Sequence, residues 1–169
     1  DSQRILDIAN KYGAEAWFLR PKELSGDTIS KIPVIQHALK LSEERYKEHF
    51  DVVIDLDATS PLRSVNDIQL SFEYFLKEEF DNLITGCSAR RNPYFNMIEL
   101  KEGKALLSKE SLTKPTTRQS SPKVFDMNAS IYIWKRKALM NSKELFNKNT
   151  GFYEMPEERS YDIDTLLDW

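Results

Sequence analysis

Short apolar runs separated by helix-like repeats constrain the fold of this chain more than any other feature. DVVIDLD and NLITGCSA are apolar, rich in β-branched residues and flanked by polar ones, so both predict buried strands. ASIYIWK predicts a further strand, and YFNMIELKEGKALLS predicts a hairpin that turns at Gly103. Strands that alternate with helices indicate an α/β fold with a layered sheet, to which the hairpin adds an antiparallel element.

The helix-like repeats lie at the start of the chain and between the strands. DSQRILDIANKYGAE predicts a first helix that stops near Gly13, and SKIPVIQHALKLSEERYK predicts a second. VNDIQLSFEYFLKEEF predicts a third, and a short helix is predicted near Ala138 to Leu145. The apolar residues at helical spacing are Ile5, Ile8, Ala9 and Tyr12 in the first helix, Ile32, Ile35 and Leu39 in the second, and Ile68, Phe72, Phe75 and Leu76 in the third.

The composition is typical of one globular domain. The chain has 169 residues, of which 40% are hydrophobic and 30% charged, and this is enough to bury a core. The formal net charge of -3, without a long Lys/Arg run, gives no indication of nucleic acid. Cys87 is the only cysteine, which excludes an internal disulfide and suits a reducing compartment such as the cytoplasm. No apolar run approaches ~18 residues, so we expect no membrane span.

The segment RSYDIDTLLDW holds two carboxylates, Asp162 and Asp164, one residue apart. In an extended segment, residues i and i+2 point to the same face, so both carboxylates would converge where a cation is needed to offset their repulsion. The alternative is a solvated strand end before a helix, with Asp164 or Thr165 as the N-cap. The spacing alone leaves both interpretations open.

The segment DATSPLRSVNDI follows the first predicted strand. Ligands in α/β sheets bind at the carboxyl ends of strands, which would put Asp57 and Arg63 at the rim of a pocket. Asp55 and Asp57 form a second i, i+2 pair, which ranks below the first because a carboxylate within a buried strand is costly to ionise unpaired. A well-capped strand-to-helix loop without function is the alternative.

A polar segment, the single cysteine and the two histidines give weaker indications of function. SKESLTKPTTRQSSPKVFD is polar and aperiodic, which is typical of a mobile loop or an exchanged arm. Arg118 lies in it, and from this context alone it would be an exposed loop arginine. Cys87 lies in a predicted buried strand, where packing is the expected role. His37 and His49 lack ligand-like spacing.

Five segments resemble the acylneuraminate cytidylyltransferases, also called CMP-sialic acid synthetases. They are FLRPKELSGDTISKI, LDATSPLRSVNDI, RRNPYFNMIE, TTRQ…NASIYI and RSYDIDTLLDW, and they follow the order of that family across nearly the whole chain. The resemblance implies a three-layer Rossmann-like nucleotidyltransferase sheet in a single, partial domain over residues 1–169. It also implies a homodimer with a protruding hairpin or arm, which we place within residues 104–130.

The resemblance gives an expectation about the start of the chain. The family opens with a strand and a Gly-rich basic loop that holds the nucleotide triphosphate, followed by a strand that ends in STD. Asp1 matches that last aspartate, so we expect an N-terminal truncation without the phosphate loop. Backbone N–H groups and lysines of such a loop neutralise triphosphate charge. We therefore expect this stretch alone to have little or no activity.

The family chemistry implies a role for the acidic pair. The anomeric hydroxyl of a nine-carbon α-keto acid attacks the α-phosphorus of CTP, which gives the CMP-sugar and pyrophosphate. This reaction needs positioning and charge neutralisation more than covalent catalysis. Asp162 and Asp164 match the DID pair that is implicated in Mg²⁺ (or Mn²⁺) binding. Asp164 is also a catalytic candidate, with either carboxylate open as the base that removes the hydroxyl proton.

Four further residues, one at the expected catalytic centre and three at the expected nucleotide site, also match the family. Arg118 matches an arginine at the catalytic centre, where its guanidinium would hold a substrate carboxylate or phosphate charge through two parallel bonds. We expect it to face the same pocket as the acidic pair. Arg20 matches a nucleotide-binding arginine, with a surface salt bridge as the alternative. Ile29 and Lys31 fall where the family contacts cytidine, Ile29 through its backbone and Lys31 in place of a serine.

The sugar side departs from the family at Asp57, where many sialic acid enzymes have glutamine. A carboxylate only accepts hydrogen bonds and would repel the carboxylate of the sugar unless it faced hydroxyl or amino groups. We therefore hypothesise a bacterial relative of sialic acid as the substrate, such as legionaminic or pseudaminic acid. Asn128 and Tyr132 match pocket residues, although Tyr132 fits a core position equally well. The turn at residues 90–93 would lie over the sugar, against a partner subunit, or plainly at the surface.

Three other functions compete with this interpretation. A 3-deoxy-manno-octulosonate cytidylyltransferase is the nearest, but TSPLR and RRNPYFN fit the sialic acid branch better. A nucleotide-sugar glycosyltransferase also uses an acidic D-x-D motif, but it would not release pyrophosphate. A non-catalytic dimerising domain would not need Asp162, Asp164 and Arg118 together.

Overall fold

The computed structural model describes residues 2–26, 28–110 and 117–169. The central segment of the predicted arm, residues 111–116, lies outside the described residues, as do Asp1 and Asp27. No helix among the described residues combines the length and apolar character needed to cross a bilayer. The helices are α1 (Gln3–Lys11), α2 (Lys31–Tyr46), α3 (Val65–Lys77) and α4 (Arg136–Asn141); the strands are β1 (Val52–Leu56), β2 (Asn82–Ser88), β3 (Ile98–Lys101), β4 (Lys104–Leu107), β5 (Phe125–Lys135) and β6 (Thr150–Glu154).

The chain divides into two compact units. The first consists of Asp1–Val53 and Trp134–Lys148, and the second of Ile54–Ile133 and Asn149–Trp169. The first unit contains α1, α2 and α4, whereas the second contains α3, the hairpin, β2 and β6. The single domain over residues 1–169 stays a prediction.

The sheet has four strands in the order β1-β5-β2-β6, and β3 and β4 form a separate antiparallel hairpin. β2 and β6 are parallel, with Asn82 opposite Thr150. β5 is antiparallel to β2, because Ala89 N donates to Val124 O at 3.0 Å while Thr85 Oγ lies 3.2 Å from Ile131 O. The sheet is therefore mixed, and the α/β prediction is confirmed, including the hairpin at Gly103.

The strands differ in burial. β2 is buried over all but its last residue, as its sequence predicts. The prediction of a buried β1 is wrong, since Ile54 and Leu56 are 37% and 39% exposed. The reason is its place in the sheet: β1 is an end strand, and among the described strands it pairs only with β5.

Helices α2 and α3 bury different kinds of residue. In α2, Ile32, Ile35 and Leu39 are buried, as their spacing predicts. In α3 the buried residues are Asp67, Ser71 and Phe75, while Leu76 is 51% exposed. The helix is confirmed, but Leu76 lies away from its buried side. The helix is rotated because Asp67 is held inside by a capping box with Ser64 and by an ion pair.

Three elements complete the comparison with the sequence. α1 ends just before Gly13, which has a φ of +92°, but it buries none of its residues. α4 is shorter than predicted, since Gln36 Nε2 donates to the carbonyls of Leu139 (2.7 Å) and Ser142 (3.0 Å) and the backbone at Ser142 is extended. β6 was not predicted, because its short run TGFYE is interrupted by glycine and flanked by polar residues.

An ion pair joins α2 to α4 within the first unit. Arg136 donates from Nε to Glu43 Oε1 at 2.6 Å and from Nη2 to Glu43 Oε2 at 2.9 Å. The Arg136 bond is the main cause that lowers the pKa of Glu43 from 4.5 to about 2, against a smaller opposing effect of burial. This ion pair gives the first unit a pH-dependent element.

Glu43→Gln should lower the free energy of unfolding above pH 5, and the difference from wild type should vanish as the pH falls towards 2. A carboxyl whose folded pKa lies below its unfolded pKa stabilises the fold above the unfolded value, and that stabilisation is lost as the pH falls through the folded value. Urea unfolding at several pH values between 2 and 7 measures the difference, with the exposed Glu144→Gln as the control. A difference that does not change with pH would contradict the assignment.

Candidate active site

The segment RSYDIDTLLDW, residues 159–169, contains both aspartates and is called the acidic segment below. It lies against the loop that follows β1, which contains TSPLR at residues 59–63 and is called the TSPLR loop. Ile163 N donates to Thr59 O at 2.9 Å, so the residue between the two aspartates is bonded to the TSPLR loop. Ser60 in the same loop is fully buried, and its hydroxyl donates to Asn128 O on β5 at 3.2 Å. The loop, β5 and the acidic segment therefore meet at one edge of the second unit.

Asn128 connects these elements. Its Nδ2 donates to Ser160 Oγ at 2.9 Å, and its Oδ1 lies 2.8 Å from Thr85 Oγ and accepts from Ser130 N at 3.2 Å. Ala129 has a φ of +50°, an uncommon value for a non-glycine residue that often accompanies a functional site. The amide of Asn128 is thus engaged within the protein, and its contact with sugar stays a prediction. Tyr132, further along β5, is 7% exposed.

The two aspartates have different environments. Asp162 is half-buried, and its Oδ1 is buried without a hydrogen-bond partner among the described residues. Asp164 is exposed. A turn follows Thr165, whose Oγ accepts from Leu167 N at 3.2 Å, so the alternative with Thr165 as an N-cap stays open. Asp168 Oδ2 accepts from Thr165 N at 2.7 Å, and the bonds from Thr165 lower the pKa of the Asp168 carboxyl.

These features fit a magnesium ion that completes its shell with water or with substrate phosphates. Across residues 2–26, 28–110 and 117–169, no group of three or more His, Cys, Asp or Glu side chains is placed to hold a metal. Mg²⁺ is usually held by one or two carboxylates together with water and substrate phosphates, so a pair is sufficient. The buried oxygen of Asp162 has the hard acceptor character that such an ion requires.

The competing pair, Asp55 and Asp57, lies near an arginine. Burial lowers the pKa of Arg63, and the negative charges of Asp57 and Asp55 act in the opposite direction. Arg63 Nη1 also donates to Ser130 O at 3.1 Å, and Asp57 N donates to the same oxygen at 3.3 Å. Arg63 therefore supplies positive charge near this pair, and its rank below Asp162 and Asp164 as a metal site stays a prediction.

Arg118 lines a cavity of about 540 Å³ at the end of β2. Its Nη2 donates to Ala89 O at 3.0 Å, and Lys123 and Glu154 are among the other lining residues. Asn92, in the turn at residues 90–93, is buried and donates to Pro122 O at 2.9 Å, which connects this turn to the polar segment that contains Arg118.

The structure does not bring Arg118 and the acidic pair into the same described cavity. Neither Asp162 nor Asp164 is among the described residues that line the Arg118 cavity. Their neighbour Ile163 instead lines a cavity of about 280 Å³ with Pro61 and Tyr161. A pocket shared by Arg118 and the acidic pair stays a prediction.

The predicted nucleotide contacts lie in the first unit. Arg20 is half-buried and precedes the 3-10 turn Lys22–Leu24, and Lys31 is the first residue of α2. Ile29 is 39% exposed, and its N–H donates to Gly26 O at 3.1 Å. A backbone contact from Ile29 to cytidine would therefore use its carbonyl. These three roles stay predictions.

An ion pair that the sequence did not reveal lies next to the acidic segment. Arg159 donates from Nε to Asp67 Oδ2 at 2.8 Å and from Nη2 to Asp67 Oδ1 at 3.0 Å. The spacing of Ser64 and Asp67 is that of a capping box and could have identified Asp67 as a helix-capping residue. Its partner lies 92 positions further along the chain, and no local signal identifies it.

Comparison with known proteins shows the family of this chain. The family model described as cytidylyltransferase matches residues 1–168, and the chain therefore belongs to the cytidylyltransferase family. It is 52% identical over 169 residues to the post-translational flagellin modification protein B of Campylobacter coli, covering 100% of this chain and 71% of the relative.

Two further relatives have names that state a sugar. The chain is 49% identical over 169 residues to the CMP-N,N'-diacetyllegionaminic acid synthase of Campylobacter jejuni, covering 100% of this chain and 71% of that protein. It is 25% identical over 168 residues to the pseudaminic acid cytidylyltransferase of Campylobacter jejuni, covering 99% of this chain and 72% of that protein.

Proposed function

We propose that this protein transfers CMP from CTP to N,N'-diacetyllegionaminic acid or a close nine-carbon relative and releases pyrophosphate. Membership of the cytidylyltransferase family supports the nucleotide, and the relative at 49% identity supports the sugar. The observation that carries the proposal is the buried oxygen of Asp162 beside the TSPLR loop, which has no hydrogen-bond partner within the part of the chain that the structure describes. It offers a cation ligand where the carboxyl ends of strands usually bind substrate.

The residues of the chain have separate tasks in this reaction. Asp162 and Asp164 would hold Mg²⁺, which supplies positive charge to the triphosphate when it is bound. Asp164 is exposed, so the sugar hydroxyl can approach its carboxylate, which would accept the hydroxyl proton. Arg118 would bind the sugar carboxylate through its planar fork. Arg20, Ile29 and Lys31 would orient the nucleotide.

The choice of sugar rests on acceptor groups. N,N'-diacetyllegionaminic acid carries two acetamido groups, whose N–H bonds are hydrogen-bond donors. Asp57 is half-buried and accepts only, so it suits an amide N–H of the sugar better than a glutamine would. Tyr132 would line the same part of the pocket.

A panel of sugars tests the proposed function. Pyrophosphate release by the full-length protein with CTP and Mg²⁺ should show at least a ~10-fold higher kcat/KM for N,N'-diacetyllegionaminic acid than for N-acetylneuraminic acid, a difference of about 1.4 kcal/mol. Pseudaminic acid should fall between them or below. A clear preference for N-acetylneuraminic acid would refute the choice of sugar, and turnover of only 3-deoxy-manno-octulosonate would assign the enzyme to the eight-carbon class.

A homodimer is part of the proposal, and the hairpin supports it. Ile98, Leu100, Ala105 and Leu107 share one face of the antiparallel hairpin, and all four are exposed. A two-stranded hairpin alone in water is marginally stable, and an apolar face of this kind is suited to pairing with a second copy.

The single cysteine, Cys87, is buried and not in a disulfide, which supports a reducing, cytoplasmic setting.

Ile98→Asp with Leu100→Asp should convert the dimer to a monomer in sedimentation experiments. Two desolvated charges on an apolar interface would cost several kcal/mol, enough to raise the dissociation constant more than ~100-fold. Glu99→Lys, on the opposite face of the hairpin, is the matched control and should leave the dimer intact. A double variant that still sediments as a dimer would exclude this face as the interface.

A further inference from the structure

The segment that carries the acidic pair is held by three contacts within the second unit. Arg159 pairs with Asp67 on α3, Ser160 Oγ accepts from Asn128 on β5, and Ile163 N donates to the loop after β1. These contacts lie on both sides of Asp162. The Asp162 carboxylate is therefore positioned by the contacts of its chain neighbours, while its own Oδ1 has no hydrogen-bond partner among the described residues.

The Asp67 carboxylate joins two walls of the candidate site. Its Oδ2 accepts from Ser64 N and from Ser64 Oγ, each at 2.8 Å, and Ser64 directly follows the TSPLR loop. The same carboxylate accepts both bonds from Arg159. One buried group thus fixes the end of the loop and the start of the acidic segment.

The pairing is strong enough to set a position. The Asp67 side chain is 3% exposed and the Arg159 side chain is 33% exposed. Burial by itself would raise the pKa of the Asp67 carboxyl, but the bonds from Arg159 and Ser64 outweigh it, so the pKa is lowered. Bidentate pairs of arginine and carboxylate fix geometry as well as charge, and removing one partner leaves a buried charge uncompensated.

We propose that Asp67 and Arg159 are positioning residues for the metal site: their ion pair sets where Asp162 lies relative to the TSPLR loop and thereby the affinity for a divalent cation. The proposal rests on the proposed function, in which Asp162 is a metal ligand. Groups outside the coordination shell that orient the ligands of a metal typically change its affinity by 10- to 100-fold when they are removed.

A second ion pair in the chain is a close match and serves as the control. Arg136 and Glu43 in the first unit are also joined by two bonds, with side-chain exposures of 35% and 11%. Neither residue has a place in the proposed site. Loss of this pair should destabilise the protein in the same general way as loss of the Asp67 pair, without moving Asp162.

The test measures binding of Mn²⁺ alone to the full-length protein by electron paramagnetic resonance. Relative to wild type, Arg159→Gln should raise the Kd for Mn²⁺ by ~10- to 100-fold. Arg159→Lys keeps the charge but not the fork, so its Kd should be intermediate. Arg136→Gln should stay within about twofold of wild type. Thermal unfolding of each variant checks that it is folded, and Arg159→Lys preserves the test if Arg159→Gln does not fold.

The outcomes separate this inference from the proposed function. If wild type binds Mn²⁺ and Asp162→Asn does not, but the Arg159 variants bind like wild type, the positioning role is refuted while the metal site stands. Equal weakening in the Arg159 and Arg136 variants would also refute it, because general stability would then explain the effect. If wild type does not bind Mn²⁺, or Asp162→Asn binds it equally well, the proposed metal site fails and this inference fails with it.

Discussion

Replacing Asp162 by asparagine should slow CMP transfer by about 10³-fold, which corresponds to roughly 4 kcal/mol of transition-state stabilisation. Asparagine has nearly the same shape, but it lacks the negative charge that a metal-bound triphosphate requires. The Oδ1 atom of Asp162 is buried and has no hydrogen-bond partner among the described residues, so little of the native packing depends on that charge. The loss should therefore appear in kcat, with little loss of stability.

Two comparisons make this result specific. Asp168→Asn removes a carboxylate from the same segment, but Asp168 is occupied by bonds from Thr165, so activity should fall by less than about fivefold. Addition of Mg²⁺ should raise the melting temperature of wild type but not of Asp162→Asn, because a ligand stabilises only the fold that binds it. If Asp55→Asn abolishes activity while Asp162→Asn does not, the competing pair is the metal site.

Arg118→Ala should lower kcat/KM for the sugar by about 10²- to 10³-fold and leave the KM for CTP nearly unchanged. Arg118 lines its cavity with part of its fork bonded to Ala89 O, and the rest would bind the carboxylate of the sugar. A charge-assisted bidentate contact is worth roughly 3 to 4 kcal/mol when it is removed from a desolvated site. Lys123→Gln removes the same charge from the same cavity and should cost less than about fivefold, since it lacks the fork.

A mixing experiment tests how Arg118 reaches the acidic pair. Arg118 and the acidic segment do not share a described cavity within one chain, and Arg118 lies in the predicted arm. If the arm serves the partner subunit, a mixed dimer of Arg118→Ala and Asp162→Asn contains one intact site. Mixing the two inactive variants under exchange conditions should then restore activity, at most to about a quarter of that of wild type when dimers form at random. If exchange of subunits is verified and activity still does not recover, both residues act within one subunit.

Local patterns predicted most elements of the fold but not their neighbours. The second helix was predicted with its buried face because Ile32, Ile35 and Leu39 report the period of 3.6 directly. The edge position of β1 was not predicted, because an apolar run has the same appearance whether one or both of its faces are covered. The rotation of α3 towards Asp67 depends on a partner that is remote in the sequence, and periodicity contains no information about it.

In the candidate site too, residues that belong to a local motif were predicted, whereas contacts between remote residues were not. Asp162 and the TSPLR loop were predicted from motif and resemblance, and the structure joins them through Ile163 and Thr59. Asn128 was predicted as a sugar contact, but the partners of its amide show a connecting role that single residues could not reveal. The ion pair of Asp67 and Arg159 is a tertiary contact between polar residues, and each of them alone looks like an ordinary capping or surface group.

The most direct measurement is the anomalous scattering of Mn²⁺ in crystals of the full-length protein grown with CTP. The account predicts a single strong peak at coordination distance from a carboxylate oxygen of Asp162, with phosphate oxygens of CTP on its other side. A peak at Asp55 and Asp57 instead, or CTP bound with its metal and triphosphate away from Asp162, would contradict it.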